Sequence, residues 1–300
     1  MKGLSTSIVL MGGVGGLLLA AACGGSAETS ASPPSPVTIV AAGDIADCGS
    51  DGTQFPEAIR TAALVQPADA LVLTLGDNTY PIGAPAEFAD CFSPTWGQFK
   101  ERIRPSPGNH DYITMDAGGY FGYFGALAGP SGRGYYSFDA GAWHVVSLNS
   151  NVDAAPGSPQ HAWLQNDLAA SKARCTLAYW HHPVFSSGPH GSDPRMAEIY
   201  RLLHSAGADI VLVGHDHIYE RFAPQDADGR SDPQNGVRSF TVGTGGARLY
   251  SIRTPQPNSE YRDSSSYGVL RLTLADGSYR WTFVPVNGAS RDEGAAVCHR

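Results

Sequence analysis

Five short segments of the chain deliver oxygen and imidazole donors, four of them plainly at the carboxyl end of an apolar, β-rich run. Val40-Ala-Ala leads into Gly43-Asp44, and Leu73-Thr-Leu leads into Gly76-Asp77-Asn78-Thr79-Tyr80. Arg104-Pro-Ser-Pro leads into Gly108-Asn109-His110-Asp111, Ala178-Tyr-Trp into His181-His182-Pro183, and Val211-Leu-Val into Gly214-His215-Asp216-His217. Alone, an Asp in a Gly-Asp turn reads as a cap or turn residue, and a lone tyrosine as a packed aromatic. Together, Asp44, Asp77, Tyr80, Asn109, His181, His215 and His217 make seven donors, more than one cation uses. If one carboxylate is shared between two ions, each ion has four protein ligands, with room left for solvent and substrate. Two cations about 3.5–4 Å apart are a device for phosphate ester hydrolysis, because they stabilise both the attacking and the leaving oxygen. A tyrosine phenolate is a hard, anionic donor that suits a trivalent ion. No paired thiolates stand near, which excludes four-cysteine zinc and iron–sulfur centres.

These donors need elements that aim them at one place. Strands are expected at Val37–Ala42, Leu71–Leu75, Trp143–Leu148, Leu177–Trp180 and Ile210–Val213. Helical spacing occupies Pro56–Val65 and Phe88–Arg102, and another helix begins at Ser158-Pro159, an N-cap followed by a first-turn proline. A further helix starts at Ser192 or Asp193, with Met196, Ile199, Leu202 and Leu203 as its apolar stripe, and ends near Gly207. The pattern then changes to consecutive strands, Val237–Val242, Gly268–Leu274 and Ser278–Val284, the last two joined by an Ala-Asp-Gly turn. Alternating β and α followed by a run of strands implies a layered α/β domain with a mixed second sheet. In open α/β sheets the carboxyl ends of the strands are where ligands bind. Glycine opens four of the five segments, which is expected to permit the sharp turn past the strand end.

In their order, the blocks GDIADC, GDNTY, GNHD, HHP and GHDH resemble those of the calcineurin-like metallophosphoesterases. The tyrosine three residues after the second aspartate narrows the resemblance to purple acid phosphatases, nearest to the small tartrate-resistant type. The likeness runs from about residue 37 to about residue 250. It implies that Asp44, Asp77, Tyr80 and His217 hold a first ion, usually ferric. Asp77 bridges to a second ion, Fe(II), Zn(II) or Mn(II), held with Asn109, His181 and His215. It also implies that His110 and His190 contact phosphate as catalytic residues; independently of the resemblance, Asp111 directly after His110 is a candidate to orient that imidazole. The chain departs from the pattern at Ala46, where many members carry glycine, and at Gly191, where plant members carry another histidine. The expected architecture is a four-layer α/β/β/α sandwich with two mixed β-sheets. The expected reaction is hydrolysis of a small phosphate monoester by a metal-bound hydroxide. A phosphodiesterase or nucleotidase with the same centre, and a non-catalytic exported binding protein of the same fold, are the alternatives.

The rest of the chain bounds where this chemistry would occur. The 300 residues, 42% of them hydrophobic, suffice for a sizeable core. A net charge of −8 without a basic run gives no reason to expect nucleic acid as a partner. Met1-Lys2, an apolar stretch to Ala22 and then Cys23 follow signal-peptide grammar. Residues 1–22 are therefore read as an export signal, 23–36 as a Ser/Ala/Pro linker and 37–300 as one catalytic domain. Cys23 after small residues resembles a lipobox, so the mature protein is expected either as a membrane-anchored lipoprotein or as a secreted one. The other four cysteines favour two disulfides with three connectivities open. Cys48–Cys91 and Cys175–Cys298 is the preferred pairing, since the first two flank one loop stretch and the last would staple the C-terminus.

Overall fold

The protein is described by a computed structural model over residues 1–13, 34–49, 56–288 and 292–299. It divides into two units, Met1–Ser32 and Pro33–Arg300. In the first unit, residues 1–13 form no helix or strand. Cys23 and most of the expected signal and linker lie outside the described residues. Among those residues, no helix is long and apolar enough to cross a membrane.

The second unit contains β1 (Val37–Ala42), β2 (Ala46–Asp47), β3 (Leu71–Leu75), β4 (Thr79–Tyr80) and β5 (Ile103–Ser106). It continues with β6 (Tyr136–Ala140), β7 (Trp143–Ser147), β8 (Cys175–Tyr179), β9 (Ile210–Val213) and β10 (Tyr219–Phe222). It closes with β11 (Arg238–Val242), β12 (Ser259–Asp263), β13 (Gly268–Ala275), β14 (Ser278–Pro285) and β15 (Glu293–Val297). The helices are α1 (Glu57–Ala62), α2 (Pro85–Glu87), α3 (Gly118–Phe124), α4 (Pro159–Ala170) and α5 (Ala197–Ser205).

Two mixed sheets dominate. One runs β15-β14-β13-β1-β3-β5, with β1, β3 and β5 parallel; the other runs β12-β10-β11-β9-β8-β7-β6, with β11, β9, β8 and β7 parallel. On β8 and β9, period-2 alternation sorts the side chains into two cores. Leu177, Tyr179, Ile210 and Leu212 share a core with Ile39, Val72, Leu73 and Leu272 of the other sheet. Their neighbours Ala178, Val211 and Val213 instead meet Leu164 and Leu168 of α4 and Ile199 and Leu203 of α5. The mixed α/β class is the expected one.

The long strands stand as expected, whereas one helical expectation does not hold. Phe88–Arg102 forms no continuous α-helix: a π-turn at Phe88–Phe92 and a 3-10 segment at Trp96–Arg102 flank a break at Ser93–Thr95. Pro94 lies in that break and has no N–H to continue the ladder, and Cys91 is tied to Cys48. The cysteines pair as Cys48–Cys91 and Cys175–Cys298, as preferred from the sequence. Ser158 caps α4 by accepting from the His161 amide at 3.3 Å.

Candidate metal centre

All five donor segments follow parallel strands: β1, β3, β5, β8 and β9 carry them at their carboxyl ends. The third of these, β5, contains Pro105 and is an edge strand, where a missing N–H is tolerated. Asp44 and Asp77 emerge with φ of 60° and 48°, and His215 with φ of 71°. These left-handed residues turn the chain sharply at the strand ends, and Asp and His tolerate that region better than most side chains. Two of the neighbouring glycines serve a different purpose from the turning role expected. A Cβ on Gly108 would fall 2.1 Å from Asp77 Oδ1, and one on Gly214 would fall 2.7 Å from Asp44 Oδ2. Their value is that they have no side chain.

The structure brings the first group of donors together. Tyr80 Oη donates to Asp44 Oδ1 at 2.9 Å or Asp77 Oδ2 at 3.0 Å, and lies 3.1 Å from His217 Nε2. His217 Nε2 is 3.3 Å from Asp44 Oδ1. The second group adjoins it: His181 Nε2 lies 3.3 Å from Asp77 Oδ2 and 3.1 Å from Asn109 Oδ1. The His215 ring centroid is 5.0 Å from that of His181. Two imidazoles are locked by backbone carbonyls. His181 Nδ1 donates to Leu75 at 2.8 Å, and His217 Nδ1 to Arg248 at 2.7 Å, so Nε2 of each faces the carboxylates.

Burial is graded. Asp44, Asp77 and His181 form a buried floor, whereas Asn109, His110 and His215 are half-buried and His190 is exposed. Burial alone would raise both floor carboxyls. The charge of His217 on Asp44 and of His181 on Asp77 outweighs it and holds both below the usual range. Burial likewise opposes protonation of His181, yet Asp77 holds it up to about 9. Burial and the charge of His181 push His215 down to about 3, a neutral imidazole suited to ligation. Burial and the two carboxylates raise the Tyr80 phenol well above its ordinary value. Among the described residues no lysine or arginine partners Asp44 or Asp77, whose ion pairs are with histidines only. Two buried carboxylates, converging imidazoles and a phenol that only a cation would ionise fit metal ions well.

Of the candidate catalytic residues, His110 sits at the rim with Nδ1 donating to the Pro81 carbonyl at 2.7 Å and Nε2 4.0 Å from Asp77 Oδ2. The His190 ring lies 4.4 Å from that of His215. Asp111 does not orient the His110 imidazole, contrary to expectation. Its carboxylate points inward to the Gly108 amide at 2.8 Å and the Asn78 side-chain amide at 2.9 Å, fixing the turn itself. Sequence reasoning missed Tyr250, whose ring stacks on His217 at 4.0 Å. The available signal was Val237–Val242 running into Gly243-Thr-Gly-Gly, another strand end with glycines. A separate group of Cys175, Asp209 and Cys298 offers no thiolate, because its sulfurs are joined in a disulfide.

Residues 27–219 match the family model described as calcineurin-like phosphoesterase. The chain belongs to that family. It is 31% identical to purple acid phosphatase 21 of Arabidopsis thaliana, over 85% of this chain and 62% of that one. Purple acid phosphatase 18 of the same plant is 28% identical over 84% of this chain and 60% of that one. The chain thus spans about three fifths of the length of these relatives. The structure of a purple acid phosphatase from yellow lupin (Lupinus luteus) seeds superposes with a TM-score of 0.70 at 20% identity, over 89% of this chain and 55% of that one. That likeness is one of fold, and it places this chain's two mixed sheets in the same architecture.

Proposed function

We propose that this chain is an exported phosphoric ester hydrolase that cleaves small phosphate monoesters at two cations. Asp44, Asp77, Tyr80 and His217 hold one ion, and Asp77, Asn109, His181 and His215 the other. The observation that carries this reading is the position of one atom. Asp77 Oδ2 lies 3.0 Å from Tyr80 Oη and 3.3 Å from His181 Nε2, so a single oxygen faces both donor groups. When bound, the ions supply Lewis acidity for phosphoryl oxygens and acidify water into a nucleophile below neutral pH. The phenol of Tyr80 favours a ferric ion in the first group, and the imidazole-rich second group suits Fe(II), Zn(II) or Mn(II).

The chain's own residues do the remaining work. The Pro81 carbonyl fixes the His110 Nδ1 proton, leaving Nε2 free to exchange a proton with the ester's leaving oxygen. His190 offers a second imidazole above His215 to steady the phosphoryl group. The buried floor keeps Asp44 and Asp77 out of bulk water, where their pull on a cation would be weaker. Residues 37–300 form the catalytic domain in this reading, 1–22 the export signal and 23–36 a linker. Lipidation of Cys23 would attach the protein to a membrane.

The test is metal analysis of the purified protein, paired with kinetics on a panel of mono- and diesters. Two ions per chain and faster monoester turnover are expected. Asp77→Asn should lose at least one ion and retain less than about a tenth of the rate. Full activity with one ion or none would refute the shared carboxylate, and faster diester turnover would reassign the substrate class.

A further inference from the structure

The middle residue of Gly214-His215-Asp216-His217 has no part in the scheme above, yet Asp216 is fully buried between two of its donors. Its side chain turns away from them and is wrapped by the loop that carries His190. Oδ1 accepts from the His190 backbone amide at 3.0 Å, and Oδ2 accepts from the Ser186 hydroxyl. That hydroxyl in turn accepts from the Gly188 amide at 3.0 Å. A Cβ on Gly188 would lie 2.3 Å from Asp216 Cγ, so the loop passes against the carboxylate only because position 188 has no side chain. One residue along, Ser187 is held separately by buried Glu220, whose carboxylate accepts from the Ser187 amide at 2.8 Å.

We propose that Asp216 is the positioning residue for His190, a proposal that rests on His190 being a substrate contact. The His190 side chain is exposed and, among the described residues, has no hydrogen bond of its own; its ring lies near those of His215 and Tyr250 at 4.4 and 5.4 Å, and only its backbone is held by hydrogen bonds. Among the described residues, the hydrogen bond from that backbone to the donor segment is the one to the Asp216 carboxylate. Because Asp216 is covalently between His215 and His217, any ester seated on those donors meets an imidazole registered to the same turn. Charge-assisted hydrogen bonds to a carboxylate are the stronger kind, and burial sharpens them further. His190 therefore approaches the phosphoryl group from a fixed point and not from a mobile Gly/Ser/Pro loop.

The experiment is a double-mutant cycle with two additional readouts, metal content and His190 amide hydrogen exchange. His190→Ala should lower kcat/KM by roughly 10²-fold. Asp216→Ala should lower it roughly tenfold or more in the native background, but less than about threefold in the His190→Ala background, with both ions retained. Asp216→Asn keeps the Oδ1 acceptor and should restore most of the loss. In Asp216→Ala the His190 amide should exchange at least about tenfold faster than in the native protein. An equal loss of kcat/KM in both backgrounds, loss of metal, or unchanged exchange at His190 would each overturn the proposal. If His190→Ala leaves kcat/KM unaltered, the substrate role of His190 itself falls, whatever the exchange data show at Asp216. Should Asp216→Ala fail to fold, Ser186→Ala frees one end of the same loop and enters the cycle in its place.

Discussion

Gly108→Ala is the sharpest single test of how the centre is built. Gly108 lies outside the left-handed region, so alanine costs nothing in backbone conformation there and removes only the empty space. The new methyl would sit 2.1 Å from Asp77 Oδ1 and 2.2 Å from the Asp77 amide nitrogen. Ordinary contact needs at least 3.4 Å, so one of the two segments must move by more than about 1 Å. Rotating the carboxylate clears only one of these clashes, because the other is with backbone. The shift therefore reaches Asp77 Oδ2, the oxygen that faces Tyr80 and His181 together. A displacement of that size at a reacting centre costs about 10²-fold in rate. Steady-state kinetics on a monoester, with metal content measured on the same sample, should show kcat down by about that factor and occupancy reduced. A Gly108→Ala protein within about threefold of native kcat, with full metal, would refute the claim that the close approach of these two turns sets the bridge.

Three further outcomes can be measured. Tyr80→Phe should abolish a visible tyrosinate–iron charge-transfer band in absorption spectra; a colourless, fully active native protein would instead point to an all-divalent centre. Mature protein purified from an export-competent host should begin at Cys23 and carry a lipid by mass spectrometry, and an unmodified Cys23 would leave secretion as the reading. His144 tests electrostatics away from the centre. Burial lowers its pKa, but Asp167 at 2.7 Å and Asp139 at 3.1 Å raise it by more, so the folded value is above the ordinary one. Its stabilising contribution, about 1.5–3 kcal/mol for hydrogen bonds to a charged group, is present in full below the unfolded-state pKa of about 6.5 and is lost as pH rises through the folded value. The Tm gap between native protein and His144→Gln should therefore be larger at pH 5.5 than at pH 8.5, and a gap independent of pH would contradict it.

The strongest signals in the sequence were those with a period and a boundary. β1, β3, β8 and β9 were legible because four or more apolar residues run straight into a polar turn, which is how a strand buried on both faces reads. The edge strands β12 (SEYRD) and β15 (EGAAV) were not, since they alternate exposed and half-buried positions with few large apolar side chains. The region Phe88–Arg102 carried helical spacing, but spacing does not register that Pro94 interrupts the ladder or that Cys91 is tied elsewhere. The seven donors were legible as types and order. Their partners were not: Leu75 and Arg248 act through backbone carbonyls, which any residue supplies, so no side-chain pattern marks them.

The glycines show most clearly where pattern and cause separate. A glycine at the head of four of the five segments suggests that the glycine makes the turn, yet at Asp44 and His215 the left-handed residue is the donor itself. Holding such a residue in that region costs on the order of 1–3 kcal/mol, and something must hold it there. The three strained turns hold one another. The Asp44 amide donates to the Gly76 carbonyl at 3.0 Å, the Ile45 amide to the Asp77 carbonyl at 3.0 Å, and the His215 amide to Asp44 Oδ2 at 2.9 Å. Each bond crosses between segments that are far apart in sequence; the last sits at the close approach that Gly214 permits, and at the approach Gly108 permits the His110 amide donates to Asp77 Oδ1 at 2.8 Å. The turns are thus braced by mutual contact before any ion is considered, and the carboxylates are aimed by the same hydrogen bonds that offset the strain. This is why a change that replaces no donor, such as a methyl group at position 108, should be felt at the shared oxygen of Asp77.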